Sequence, residues 1–241
     1  VVFGLVVVAF AMIMGVLIGA VSAYFGGFLN DLLMRITDAF LAFPMIASVV
    51  FINQLFLIII YNAGVRYTGS PMVMNAVFTP TGSFSIPPDL PLWFVLLQQI
   101  NPVSIAFILF SWMPFARIMN TIVSRIKNTD YILAARALGV RNFRIIFKHM
   151  LPNAIAPVIV LAARDVGGMV LLQATFTFIG LGGDSPWGML LAIGRDWIIS
   201  AGGILTYWWV FLPATLALVL FGIGWNLMGD GLNDALNPRE Y

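Results

Sequence analysis

Few side chains in this 241-residue chain could do chemistry, and where they stand says more than how many there are. Cysteine is absent and histidine occurs once, at His149, which excludes a thiolate or multi-histidine metal centre. The carboxylates do not gather beside one another or beside His149, so no acid–base pair or activated nucleophile offers itself as catalytic. No Gly-x4-Gly-Lys-Ser/Thr phosphate loop is present, so ATP chemistry is not expected on this chain. What remains is charge placed for binding. Seven of the twelve Lys and Arg residues lie between Arg117 and Lys148, with Asp130 the sole acid among them. Arg136, Arg141, Arg144 and Lys148 suit acidic groups on a partner or anionic headgroups, and setting topology alone would also justify them. A sparser set, Arg164 and Asp165 with Gln173 about two turns on, sits inside an apolar run. Ionisable groups in such a place usually face a cavity or a partner. The two readings are a translocation path or a structural bond to another span.

These groups must be positioned by membrane helices. The chain is 61% hydrophobic and only 9% charged, against roughly 25% charged for soluble proteins. A hydrocarbon core of about 30 Å takes about 20 helical residues, and the runs 1–30, 39–65, 90–116 and 197–229 are uncharged and longer than that. The expectation is an all-α integral membrane protein, a single transmembrane domain over 1–241. The first span covers 1–24 and stops at Phe25-Gly26-Gly27. Asp31 and Arg35 then mark a short polar connection, and a second span covers 36–61 with a kink at Pro44. Residues 62–97 carry too many Gly and Pro for a span and read as an ordered extracytoplasmic insertion. A third span over 101–122 leads into the basic loop, cytoplasmic by the positive-inside rule. A fourth covers 151–181 with Gly167-Gly168 as its weak point, a Gly-rich external segment follows over 180–203, and the last span covers 207–228. Counting crossings returns the C-terminus to the cytoplasm. The chain opens inside an apolar run, so a preceding piece is expected.

Within the loop, 128–150, Thr129 or Asp130 can cap a short helix that ends at Gly139, a natural C-terminal stop. Asn142 can cap a second, on which Phe143, Ile146, Phe147 and Met150 share one face and Arg141, Arg144 and Lys148 another. His149 reads as an interfacial hydrogen-bonding residue and Asp38 as a brace for the second span.

The spacing of Ala134-Ala135-Arg136-Ala137-Leu138-Gly139 and Leu151-Pro152-Asn153 resembles the coupling loop of ATP-binding-cassette importer permeases. Three further stretches resemble the dipeptide, oligopeptide and nickel subfamily. They are Tyr24-Phe25-Gly26-Gly27 with Leu33–Asp38 and Pro44; Phe178–Gly182 with Pro186-Trp187-Gly188; and the tail Gly229–Pro238, which points to the C-type subunit. The resemblance implies the type I importer permease fold, with five transmembrane helices in this chain and six in the full protein, in a bacterial or archaeal plasma membrane. It implies a second homologous permease subunit, two ATP-binding subunits that carry ATP and Mg, and an extracytoplasmic solute-binding protein as partners, with no nucleic acid. The chain would then form half of a path for peptides, or for nickel and related small solutes. Ala134, Ala135, Arg136, Gly139, Arg144, Leu151 and Pro152 would contact the ATPase, and Arg164, Asp165 and Gln173 are the candidate path residues. The motif departs from the family at Leu133, where a Glu is usual, and at His149. The competing class is a self-sufficient secondary transporter or channel, which wants inverted halves and helices broken at mid-membrane; Gly167-Gly168 is the one hint of that.

Overall fold

The computed structural model describes residues 1–68, 92–93, 101–199 and 207–236, and every regular element among them is helical. Helix α1, Val2–Phe25, runs through the centre of the bundle. At 1.5 Å per residue it is about 36 Å long, enough to cross a bilayer. Between helices in lipid there is little hydrophobic drive, so association depends on close packing. Gly15 and Gly19, one turn apart, supply it: a Cβ on Gly15 would stand 2.5 Å from the Trp112 carbonyl oxygen, and one on Gly19 2.3 Å from that of Ala116. Gly26 and Gly27, at φ 67° and 55°, turn the chain out of α1 and into α2, Gly27–Ala42.

The region read as a short connection and a kinked span is therefore organised differently. Residues 27–42 form a complete helix that leaves most side chains exposed and buries Thr37 alone. It ends at an extended Phe43 (φ −82°, ψ 123°) before Pro44, because the proline ring disfavours helical backbone at the preceding residue. Helix α3, Met45–Thr68, follows and carries the span Met45–Ala63. Its last turns run into the stretch assigned to the insertion; the rest of 62–97, apart from 92–93, lies outside the described residues.

The third span is also divided. Helices α4, Pro102–Phe110, and α5, Met113–Ile126, are separated by a bend at Ser111-Trp112. Asn101 caps α4 by accepting a hydrogen bond from the Val103 N–H at 2.9 Å. After the basic loop, a short turn α8, Leu151–Ala154, gives way at Ile155 to α9, Ala156–Phe178. Gly167-Gly168 does not break α9; Gly167 lets Trp225 pack against it, with Trp225 Cβ 2.9 Å from where a Cβ would lie. The segment 180–203 is not simply a loop: it contains α10, Pro186–Ile199, too short to span and packed on α9, where Gly188 meets the Ala174 carbonyl. The final helix α11, Trp208–Leu236, extends beyond residue 228. Among the described residues, five segments are long and apolar enough to cross a membrane: Val2–Phe25, Met45–Ala63, Pro102–Ile126, Ala156–Phe178 and Trp208–Leu236.

Candidate functional site

The basic loop between α5 and α8 is a built surface. Helix α6, Asp130–Ala137, stops in the pattern that a left-handed residue allows: the Val140 N–H donates to the Ala135 carbonyl at 3.1 Å and the Gly139 N–H to that of Arg136 at 2.9 Å. Gly139 has φ 74° and nothing within 4 Å of where a Cβ would lie, so backbone conformation alone is the reason for glycine. The expected cap is absent. Thr129 occupies the N-cap position, but its hydroxyl donates backward to the Ile126 carbonyl at 2.7 Å.

The second helix of the loop begins as α7, Asn142–Arg144, and continues as a π-helical segment, Ile145–Met150, into α8. Pro152 lacks an N–H and its ring crowds the carbonyl four residues back, which a widened turn relieves. The Leu151 N–H reaches the Ile146 carbonyl, and the Asn153 side-chain amide donates to the His149 carbonyl at 2.7 Å. This widening rotates the buried face. Ile145, Ile146 and Met150 are buried, whereas Phe143 and Phe147, expected on that face, are exposed and lie against each other with tilted rings, centroids 4.3 Å apart. Asn142 does not cap either, since Arg141 holds that position.

Tyr24, at the end of α1, fastens this loop. Its hydroxyl donates to Asn142 Oδ1 at 2.7 Å, and the Arg136 guanidinium lies over its ring, 4.8 Å from the centroid. One buried side chain thus touches both loop helices. Lys127 Nζ donates to the Ala23 carbonyl at 2.9 Å, placing a cation at the C-terminal end of α1, where the helix dipole favours it. Asn120 donates to Ser22 Oγ at 2.8 Å and to Asn30 Oδ1 at 2.6 Å, joining α5, α1 and α2. Ile132 is fully buried beneath α6, and Ala135 and Val140 pack on the same core. Leu133, Ala134, Arg136, Leu138, Arg141, Arg144 and Lys148 face outward, with Leu138 83% exposed. Leu151 is partly buried and Pro152 exposed. The outward face is therefore both apolar and basic.

The second candidate set separates. Arg164 on α9 pairs with Asp230 on α11 through Nη2 and Oδ1, and its stem lies over Gly229. Asp165, about 100° around the helix, stands apart from that pair. Gly168 and the 37%-exposed Leu172 follow it at helical spacing along a stripe of α9. Gln173 is not on that stripe. It is buried at the other end of α9 and donates to Asp184 Oδ1 at 2.8 Å, a carboxylate that Asn101 also approaches at 3.5 Å. Asp38 pairs with Arg117 at 2.9 Å, bracing α2 against α5. Among the described residues, no three His, Asp or Glu side chains converge on a possible metal position.

Tyr24, Lys127 and Asn120 escaped the sequence reading as functional residues. Their partners are distant in the chain, and only the Tyr24-Phe25-Gly26-Gly27 stretch hinted at them.

A family model for the inner membrane component of binding-protein-dependent transport systems matches residues 15–240. The chain is 31% identical over 240 residues to the dipeptide transport system permease protein DppC of Alkalihalophilus pseudofirmus, with 98% of this chain and 64% of the relative covered. It is 28% identical over 233 residues to the oligopeptide transport system permease protein OppC of Bacillus subtilis, covering 95% of this chain and 61% of that one. The glutathione transport system permease protein GsiD of Pectobacterium atrosepticum is 28% identical, with 98% and 64% covered. The chain thus spans less than two thirds of the length of these curated relatives. With five apolar spans and only helices among its described residues, in the type I importer permease fold, the chain belongs to the family of binding-protein-dependent transport system inner membrane components.

Proposed function

We propose that this chain is a transmembrane subunit of an ATP-driven importer that takes up peptides and forms half of the translocation path. The observation that carries the reading is the loop 128–150: two helices joined at Gly139, held to α1 by Tyr24, with an apolar and basic face turned outward. Such a face suits an ATPase surface with a hydrophobic groove and acidic rim. Ala134, Ala135, Arg136, Gly139, Arg144, Leu151 and Pro152 make up the surface that meets that partner. Two ATP-binding subunits, carrying ATP and Mg, supply the energy. A second, homologous permease supplies the other half of the path, and a solute-binding protein delivers cargo from outside. Differential contact of this loop with two ATPase states would bias the spans between two arrangements. The stripe Asp165, Gly168 and Leu172 faces the path, with the Arg164–Asp230 pair at its edge. The basic loop and the C-terminus lie in the cytoplasm. The peptide cargo rests on the names of the relatives. Gly167-Gly168, the one hint of a secondary transporter, lies within unbroken helix.

Reconstitution of the subunit with two ATP-binding subunits, a second permease and a solute-binding protein tests this reading. Uptake of labelled di- and oligopeptides should require ATP and the binding protein. Uptake driven by an ion gradient without ATP would refute it. Orientation is tested separately in intact cells, and these 241 residues contain no cysteine to interfere. A cysteine at exposed Trp187 should react with an impermeant reagent, and one at Leu138 should not; the reverse pattern inverts the topology.

A further inference from the structure

Two helix junctions lie side by side, one between α2 and α3 and one between α4 and α5. The breaks at Phe43-Pro44 and Ser111-Trp112 are bridged by aromatic rings: Phe43 stacks on Phe110 at 5.8 Å, and Phe40 lies 5.4 Å from Phe110 and 6.2 Å from Trp112. On the side toward the basic loop, Asp38 and Arg117 tie α2 to α5. On the other side, Val49 of α3 packs with Val103, Ala106 and Phe107 of α4, and Phe56, Ile60 and Ala63 pack against Ile105. The hydrophobic core divides near the same level. One cluster holds Trp112 to Val123, the loop and most of α1; the other holds the α3–α4 contacts with Val7 and Phe176.

The two halves are anchored differently. Helix α5 is locked to α1 by backbone contact at Gly15 and Gly19, which leaves no room to slide. Helix α4 instead meets α1 and α9 through side chains, Phe3 on Phe107 at 5.5 Å and Phe107 on Phe176 at 5.6 Å, with Val7 in the same cluster and a 3.5 Å contact from Asn101 to Asp184 at its outer end. Edge contacts between rings can roll without exposing polar groups. Beside the breaks, an open surface recess of about 430 Å³ is lined by Ala39, Phe40, Phe43, Phe51 and Phe110, all but Phe110 exposed. It leaves space next to the joint.

We infer that α3 and α4 form one arm that pivots at this aromatic belt while α1, α2, α5 and the loop move as a single body. The inference rests on the transport reading for its purpose, namely opening and closing the path at the end away from the basic loop. Rotation at two aligned breaks needs no change inside any helix. A turn of about 15° would carry a residue three to four turns along α3, roughly 20 Å from the joint, through about 5 Å.

Spin labels on the reconstituted complex can measure this, at positions exposed in the structure. The pair Ile58–Leu109 reports within the arm, Leu17–Thr121 within the body, and Ile58–Thr121 across the joint. Between the nucleotide-free and vanadate-trapped states, the cross-joint distance should change by about 5 Å, and the two internal distances by less than about 2 Å. The variant Ala39→Phe, which fills the recess from an exposed position, should reduce the cross-joint change at least twofold with complex yield unchanged. Peptide uptake by the same labelled preparations keeps the two readings apart. A complex that transports peptide with all three distances fixed, or with equal changes within the arm, overturns the hinge. A nucleotide-dependent shift confined to the cross-joint pair supports it even where peptide uptake is absent, and only the peptide reading then falls.

Discussion

Removing the hydroxyl of Tyr24 should loosen the loop without disturbing the spans. The Tyr24–Asn142 hydrogen bond is 2.7 Å long and partly buried, worth about 1 kcal/mol net. Tyr24→Phe would then raise the undocked fraction of the loop about fivefold, taking 1.4 kcal/mol as tenfold. Tyr24→Ala also removes the ring beneath Arg136, a further 0.5–1 kcal/mol or so, and a largely buried side chain worth roughly 2 kcal/mol. The total of about 4 kcal/mol approaches a thousandfold in the undocked fraction. Hydrogen exchange of the α6 and α7 amides in the assembled complex reports docking directly, and the ratio of ATP hydrolysed to solute moved reports coupling. Tyr24→Phe should speed exchange in the loop about fivefold and leave the amides of α9 unchanged. Tyr24→Ala should let hydrolysis run with little transport. A double-mutant cycle with Asn142→Ala should show the second change costing almost nothing once the hydroxyl is gone. Additive effects of Tyr24→Phe and Asn142→Ala, or normal coupling in Tyr24→Ala, would refute the idea that this residue fastens the loop.

At Gly139, the open surroundings mean that backbone strain alone sets the cost. Gly139→Val should lower loop stability by about 1–2 kcal/mol and uncouple hydrolysis from transport, whereas Gly139→Asn should be milder; equal losses for both, by the same assays, would point to contact rather than conformation. Gly139→Asp, adding charge to that strain on a basic docking face, should lose transport while the protein still inserts normally, as judged by its yield in the membrane fraction. Gly19→Leu should abolish folding, because even a Cβ would collide with the Ala116 carbonyl; normal yield of detergent-stable complex would show that α1 and α5 are not locked there. Arg164→Ala leaves Asp230 without its cation at the α9–α11 contact, so the double variant Arg164→Ala/Asp230→Asn should be thermally more stable than the single one. A double variant no better than the single would mean that the pair does not couple.

Much of this molecule was legible as a string. The five spans follow from hydrophobic length, and the helix stop at Gly139 from backbone sterics, both set by residues close together in sequence. The basic loop is likewise a local accumulation of charge. Details of helix continuity were less legible. Pro44 ends a helix outright because an independent helix precedes it, while Gly167-Gly168 breaks nothing because Trp225 packs on the first glycine. Pro152 widens the turn before it, which turned Phe143 and Phe147 outward against a pattern assuming a regular period. The partners of the polar side chains were beyond reach from sequence alone. Tyr24 meets Asn142 across 118 positions and Arg164 meets Asp230 across 66, and Gln173 turns to Asp184 rather than toward Asp165. Such pairings depend on which helix faces lie side by side, and backbone contact at Gly15 and Gly19 helps fix them. The sequence determined which segments enter the membrane and where the loop helix stops, because those are local balances of transfer energy and backbone strain. Only the tertiary structure decided what each charge touches and that two helix breaks lie at one level, because both depend on packing between distant parts of the chain.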